Sequence, residues 1–165
     1  MISQKPIPIS QADFSPYGRY CRLAETPLAK EGGARLFPTR ETVMERPLKF
    51  GITVCRGGAS FLVDSMERHL SSEEIQFAGD GPIILSVANS DPAGNPRAED
   101  VVSFLLEVGD LVVLNRGIWH DACHAVREKS MYYFLSLTNG EPSETAWLPV
   151  LPGPVSVKNI QEANE

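Results

Sequence analysis

Ile83-Ile84-Leu85-Ser86-Val87-Ala88 is a six-residue run with a single polar side chain, set between Gly79-Asp80-Gly81-Pro82 and the turn-rich stretch Asn89 to Pro96. A continuous apolar run this short, closed on both sides by chain-reversing residues, reads as a strand buried on both faces. Upstream of it, Phe50 to Cys55 is β-branched and apolar and ends at Gly57-Gly58, and Ser60 to Val63 and Ile75 to Ala78 follow. Downstream, Val101 to Val108, Leu111 to Leu114, Ala122 to Arg127 and Met131 to Leu137 continue the series, with Gly109-Asp110 and Asn115-Arg116-Gly117 as turns. Short strands at roughly 8–12-residue spacing predict an all-β sandwich or barrel. No stretch in the middle of the chain sustains a helical apolar period.

The two ends read differently. Ser10 with Asp13 three residues on forms a capping-box pattern, Asp standing where Glu is usual, and predicts a short N-terminal helix that Pro16 and Gly18 end. The stretch from Gly153 to Glu165 is polar and is expected to be a loosely attached tail, which leaves one barrel domain over residues 1–152.

Composition narrows the function classes. The chain has 165 residues, enough for one well-buried core. Fifteen Lys and Arg stand against 21 Asp and Glu, a formal charge of -6, so there is no basic excess with which to neutralise a phosphate backbone. Nucleic acid is therefore not an expected partner. No apolar run approaches the ~18 residues of a membrane span, so no membrane partner is expected either. Met1 to Pro6 lacks the apolar core of a secretory signal, and Cys21, Cys55 and Cys123 form neither an even set nor a Cys-x-x-Cys pair. A cytoplasmic protein without disulfides is expected.

The chain holds three histidines, His69, His120 and His124. Glu67 and His69 are two apart and share one face of a strand. Glu74 lies beyond Ser71-Ser72, where a chain reversal would bring its carboxylate back beside that pair. His120 and His124, four apart, share a face of an extended segment, which turns Trp119, Asp121 and Cys123 the other way. Glu67, His69, Glu74 and His120 in one barrel interior would suit a divalent metal ion such as Zn, Ni, Mn or Fe. Without metal, the same four could transfer protons near neutral pH. Arg116, in the turn before His120, offers a forked and always-charged donor suited to a substrate carboxylate, and His124 is grouped with it as substrate-binding. Cys123-His124 is not expected to act as a nucleophile–base pair, because neighbours on a strand face opposite ways.

Two segments resemble cupin motifs. Gly109, Asn115-Arg116-Gly117 and His120 resemble the second, G-x5-P-x-G-x2-H, with Asn115 in place of proline. His69, Glu74 and Gly81 resemble the end of the first, H-x-H-x4-E-x6-G, with Glu67 in place of its first histidine. Within the cupins the chain is most similar to the ureidoglycolate lyase family, also called ureidoglycolate hydrolase. Ser10 to Gly18, Met66-Glu67-Arg68-His69 and Asn115-Arg116-Gly117-Ile118-Trp119-His120 carry that likeness. It departs from the family at Asp121, where a second histidine is usual, and at Glu74, where glutamine is usual.

The resemblance implies a jelly-roll β-barrel, a homodimer and cleavage of ureidoglycolate to glyoxylate and urea in allantoin breakdown. It further implies catalytic roles for Glu67, His69 and His120. Either Glu67 or Glu74 would take the hydroxyl proton, and Arg116 would hold the substrate carboxylate. The alternatives are another metal-dependent cupin enzyme, a dioxygenase or isomerase, and a non-catalytic cupin that binds a small molecule.

Overall fold

The computed structural model describes residues 2–22, 29–31, 34–36, 48–137 and 145–160. Its strands in chain order begin with β1 (Ile2–Gln4), β2 (Ile7–Pro8), β3 (Gly18–Arg22), β4 (Ala29–Glu31), β5 (Ala34–Leu36) and β6 (Leu48–Arg56). The middle of the chain supplies β7 (Ser60–Val63), β8 (Ser65–His69), β9 (Glu74–Ala78), β10 (Ile83–Ala88), β11 (Val102–Leu106) and β12 (Asp110–Leu114). The last are β13 (Trp119–His120), β14 (His124–Ala125), β15 (Lys129–Leu137), β16 (Thr145–Pro149) and β17 (Val155–Lys158).

Two sheets face each other. One runs β16-β8-β13-β10-β11-β2, with β14 also paired to β10, and the other runs β3-β12-β9-β15-β6. A third sheet, β1-β17-β7, covers the far side of the first, and β4 and β5 form a hairpin. All six residues of β10 are buried, because the strand lies inside a sheet that is covered on both faces. Ile83, Leu85 and Val87 point between the two large sheets, packed with Phe104, Val112 and Leu114. Ile84 and Ala88 point the other way, into a second core with Met66, Trp119, Val155 and Val157. The apolar residues of β10 thus serve two cores at once.

The structure corrects three expectations about the framework. The N-terminal helix is a single 3-10 turn, Ile9–Gln11, whose cap is Pro8 and not Ser10. Asp13 instead accepts a hydrogen bond from the backbone N–H of Ser15, a local turn that competes with helix growth. Ala122 to Arg127 yields strand only at β14, because the chain leaves the sheet at residues 121–123. The expected tail supplies β17, which lies between β1 and β7 with Val155 and Val157 fully buried. No helix among the described residues is long and apolar enough to cross a membrane.

Candidate functional site

The interior end of β8 carries the first pair. Strand alternation turns Glu67 and His69 inward, while Met66 and Arg68 face the outer core, where the Arg68 guanidinium lies 4.4 Å from the Trp119 ring centre. In the neighbouring strand His120 is the direct partner of Glu67, which places its ring on the same face. The turn leading into β13 fixes this approach. Gly117 adopts φ +77°, and its N–H donates to the His69 carbonyl at 2.7 Å. The fourth member comes from the opposite sheet, where Glu74 begins β9 and points into the space between the sheets.

These four side chains converge. His69 Nε2 lies 2.9 Å from Glu74 Oε2, and His120 Nε2 lies 3.6 Å from Glu67 Oε1 and 3.8 Å from Glu74 Oε1. The two imidazole rings are 5.4 Å apart. One donor atom each from Glu67, His69 and His120 lies within 4.8 Å of the other two. His120 is 1% exposed, and burial pushes its pKa down, so the ring is neutral. Its Nδ1 lies 3.3 Å from the Ile118 carbonyl, which can only accept, so the proton sits there and the Nε2 lone pair faces the cluster. That buried Nε2 makes no hydrogen bond. A buried imidazole lone pair with carboxylates on either side fits a cation, and two nitrogens with carboxylate oxygens suit a divalent transition metal.

The two carboxylates are driven apart in pKa. Burial, with the nearby Glu74 charge, pushes Glu67 up to about 7. Burial also pushes Glu74 upward, but contacts from His69, His120 and Gln76 outweigh it and hold the group below the usual carboxylate range. Glu74 is therefore the resident anion, and Glu67 is the group that can hold or release a proton at neutral pH.

This has a measurable consequence with metal removed. Between an ordinary 4.5 and about 7, folded Glu67 keeps a proton that the unfolded chain has lost, so its contribution to stability falls as pH rises through that window. His120, lowered from 6.5, acts with the opposite sign over part of it, so the comparison with Glu67→Gln isolates the carboxyl. The stability advantage of Glu67→Gln over wild type is expected to grow by about 1–2 kcal/mol from pH 5 to pH 8, part of the full shift being lost to solvent screening. Urea unfolding in chelator measures it. A difference independent of pH would mean that Glu67 is not desolvated.

Two expected site residues lie elsewhere. His124 pairs with Ile84, whereas His120 pairs with Val87, and these neighbours belong to opposite faces of β10. The irregular residues 121–123 shift the alternation by one, so His124 faces outward. It stacks on Phe61 with ring centres 3.6 Å apart and contacts Asp121 Oδ2 at 3.0 Å. Arg116 is exposed in its turn. The same shift turns Cys123 inward, where its thiol donates to Gln76 Oε1 at 3.0 Å, while Gln76 Nε2 donates to Glu74 Oε1 at 2.7 Å. Neither Gln76 nor Cys123 is anticipated by the sequence reading. Gln76 was within its reach, being two residues from Glu74 on a strand.

No family model and no curated protein matches the sequence. Solved structures do. A dTDP-sugar isomerase from Desulfovibrio desulfuricans superposes with a TM-score of 0.55 at 10% identity, over 82% of this chain and 85% of that one. A 3,4-ketoisomerase from Helicobacter canadensis gives 0.52 at 10% identity, over 79% and 91%. NovW, a 4-keto-6-deoxy sugar epimerase from Streptomyces spheroides, gives 0.50 at 15% identity, over 78% and 73%. The facing sheets of this chain and of these neighbours are one architecture. The chain has a cupin-type β-barrel fold. Its match to the longer RmlC from Streptococcus suis spans 46% of that protein. In this barrel the candidate cluster lies between the two large sheets, and one of its members comes from the sheet opposite the other three.

Proposed function

We propose that this chain is a small-molecule enzyme that moves a proton next to a carbonyl or hydroxyl group, with Glu67 as the proton-carrying residue beside a divalent ion held by His69, Glu74 and His120. The observation that carries the reading is the convergence of two carboxylates and two imidazoles, with the carboxyl groups pushed to opposite sides of their ordinary pKa. A bound divalent ion would supply Lewis-acid polarisation of a substrate oxygen. The protein's own contribution is separable from that. Glu67, 23% exposed, is open to a guest and can exchange one proton with it. Glu74, nearly buried, stays ionised and holds His69 in place. His120 keeps its neutral form and offers Nε2, because its other nitrogen is committed to Ile118.

Isomerisation or epimerisation of a keto sugar or related hydroxy-carbonyl compound uses this equipment directly: one group removes a proton beside the carbonyl and returns it, while the charge on oxygen is held. The structural neighbours, a dTDP-sugar isomerase, a 3,4-ketoisomerase and a 4-keto-6-deoxy sugar epimerase, support this class. The second reading is carbon–nitrogen cleavage of ureidoglycolate to glyoxylate and urea, supported by the sequence patches around Glu67-Arg68-His69 and Trp119-His120. It is weakened by the outward His124 and by the exposed position of Arg116, the residue expected to hold a substrate carboxylate. In either case the homodimer implied by the resemblance remains part of the proposal, with light scattering as its test.

One experiment separates the two readings. Purified protein in deuterium oxide, supplied with zinc or manganese, is given a panel of keto sugars and, separately, ureidoglycolate. Deuterium entering a carbon next to the carbonyl, abolished by chelator, is the expected result. Glyoxylate release without exchange would select the lyase, and neither signal would leave a binding module.

A further inference from the structure

The cluster is tied to the rest of the core by one buried chain of hydrogen bonds. Cys123 and Gln76 are each 2% exposed. The Cys123 thiol donates to Gln76 Oε1, and Gln76 Nε2 donates to Glu74 Oε1 at 2.7 Å. Glu74 Oε2 is left 2.9 Å from His69 Nε2. The chain starts in the connection between β13 and β14, crosses β9 in the opposite sheet, and returns to β8. We infer that Cys123 and Gln76 are positioning residues that set the rotation of the Glu74 carboxylate and, through it, the His69 ring.

The direction of the Gln76 amide is the critical point. Turned over, it would set its oxygen against a carboxylate oxygen, two acceptors in contact without water, and would aim its NH2 at sulfur, a weak acceptor. A thiol that donates selects the working orientation. Burial pushes the Cys123 thiol well up, so it keeps its hydrogen at any ordinary pH. With Gln76 so held, Glu74 Oε1 is fixed toward Gln76 and Oε2 is turned toward His69. Partners of this kind orient metal-binding and proton-transferring groups without touching substrate. The inference rests on Glu74 and His69 being site residues, as proposed above.

The test uses the full chain with Gln76→Leu, Cys123→Ala and Cys123→Ser, and two readouts. One is zinc affinity by competition with a chromophoric chelator. The other is the nitrogen-15 shifts of the His69 and His120 rings in metal-free protein. Gln76→Leu is expected to weaken zinc binding by about 10–100-fold and to move the His69 ring signals. Cys123→Ala is expected to move both in the same direction, and Cys123→Ser, which keeps a donor, to restore wild-type values. Equal behaviour of the alanine and serine variants in both readouts would overturn the inference, since a packing role alone does not distinguish them by donation. So would zinc binding in Gln76→Leu within about twofold of wild type with unchanged His69 signals. Should wild type bind no zinc, the metal reading fails, and the ring signals of the two Cys123 variants decide the inference by themselves. They decide it equally if Gln76→Leu does not fold.

Discussion

Glu67→Gln is expected to lower kcat by about 10²–10⁴-fold, the usual contribution of a positioned proton-transfer group. Glutamine has the same shape and length but carries no exchangeable carboxyl proton. Two facts single out Glu67. It is the carboxyl of the cluster raised to about 7, and it is more open to the interior space than Glu74. The same variant should be no less stable than wild type at neutral pH, because it removes a partly buried carboxyl that resists ionisation. Kinetics at saturating metal, beside a melting curve, check both halves. If excess metal restores kcat, Glu67 serves as a ligand and not as the proton carrier. If kcat is unchanged throughout, Glu67 has no part in the chemistry.

Ending the chain after Pro154 is expected to abolish cooperative folding. The cut removes β17, the middle strand of β1-β17-β7, and with it both neighbours' hydrogen-bonding partner. Val155 and Val157 are fully buried, each worth about 1.5–3 kcal/mol, and their loss uncovers Val63 and Met66 in the same core. Together with the lost strand pairing this approaches the whole stability of an ordinary domain, about 5–15 kcal/mol. Circular dichroism and a thermal scan of the shortened protein give the answer. A truncated form that melts cooperatively within a few degrees of wild type would return this segment to the status of a tail.

That segment shows where the sequence is legible and where it is not. Val155-Ser156-Val157-Lys158 does alternate, apolar with polar, but four residues inside a polar stretch carry too little signal to announce a strand. β10 is the opposite case: six residues closed by turns on both sides declare a doubly covered strand, and the structure gives one. In the site, Glu67 and His69 are legible because β8 keeps strict alternation, and Gly117 is legible because a left-handed turn before His120 requires it. Glu74 comes back to them across the sheets as expected. Cys123 and His124 exchange faces because the chain leaves the sheet after His120. The Asp121 N–H reaches the Ser86 carbonyl, and its own carboxylate takes the Ala122 N–H. A one-residue slip of this kind reverses every later side chain, and composition does not reveal it. The cupin fold expected from the motif resemblance is present, while the likeness to one lyase family rests on short patches of sequence.

The candidate donors are shared between opposing sheets, Glu67, His69 and His120 on one side and Glu74 on the other. Anything seated among them therefore acts as a rivet through the wall of the barrel, and prising the halves apart must expel it. Occupancy at a hundred times the dissociation constant would raise resistance to unfolding by about 2.7 kcal/mol. The melting temperature thereby becomes a ligand gauge, able to rank ions and candidate substrates before any turnover assay exists.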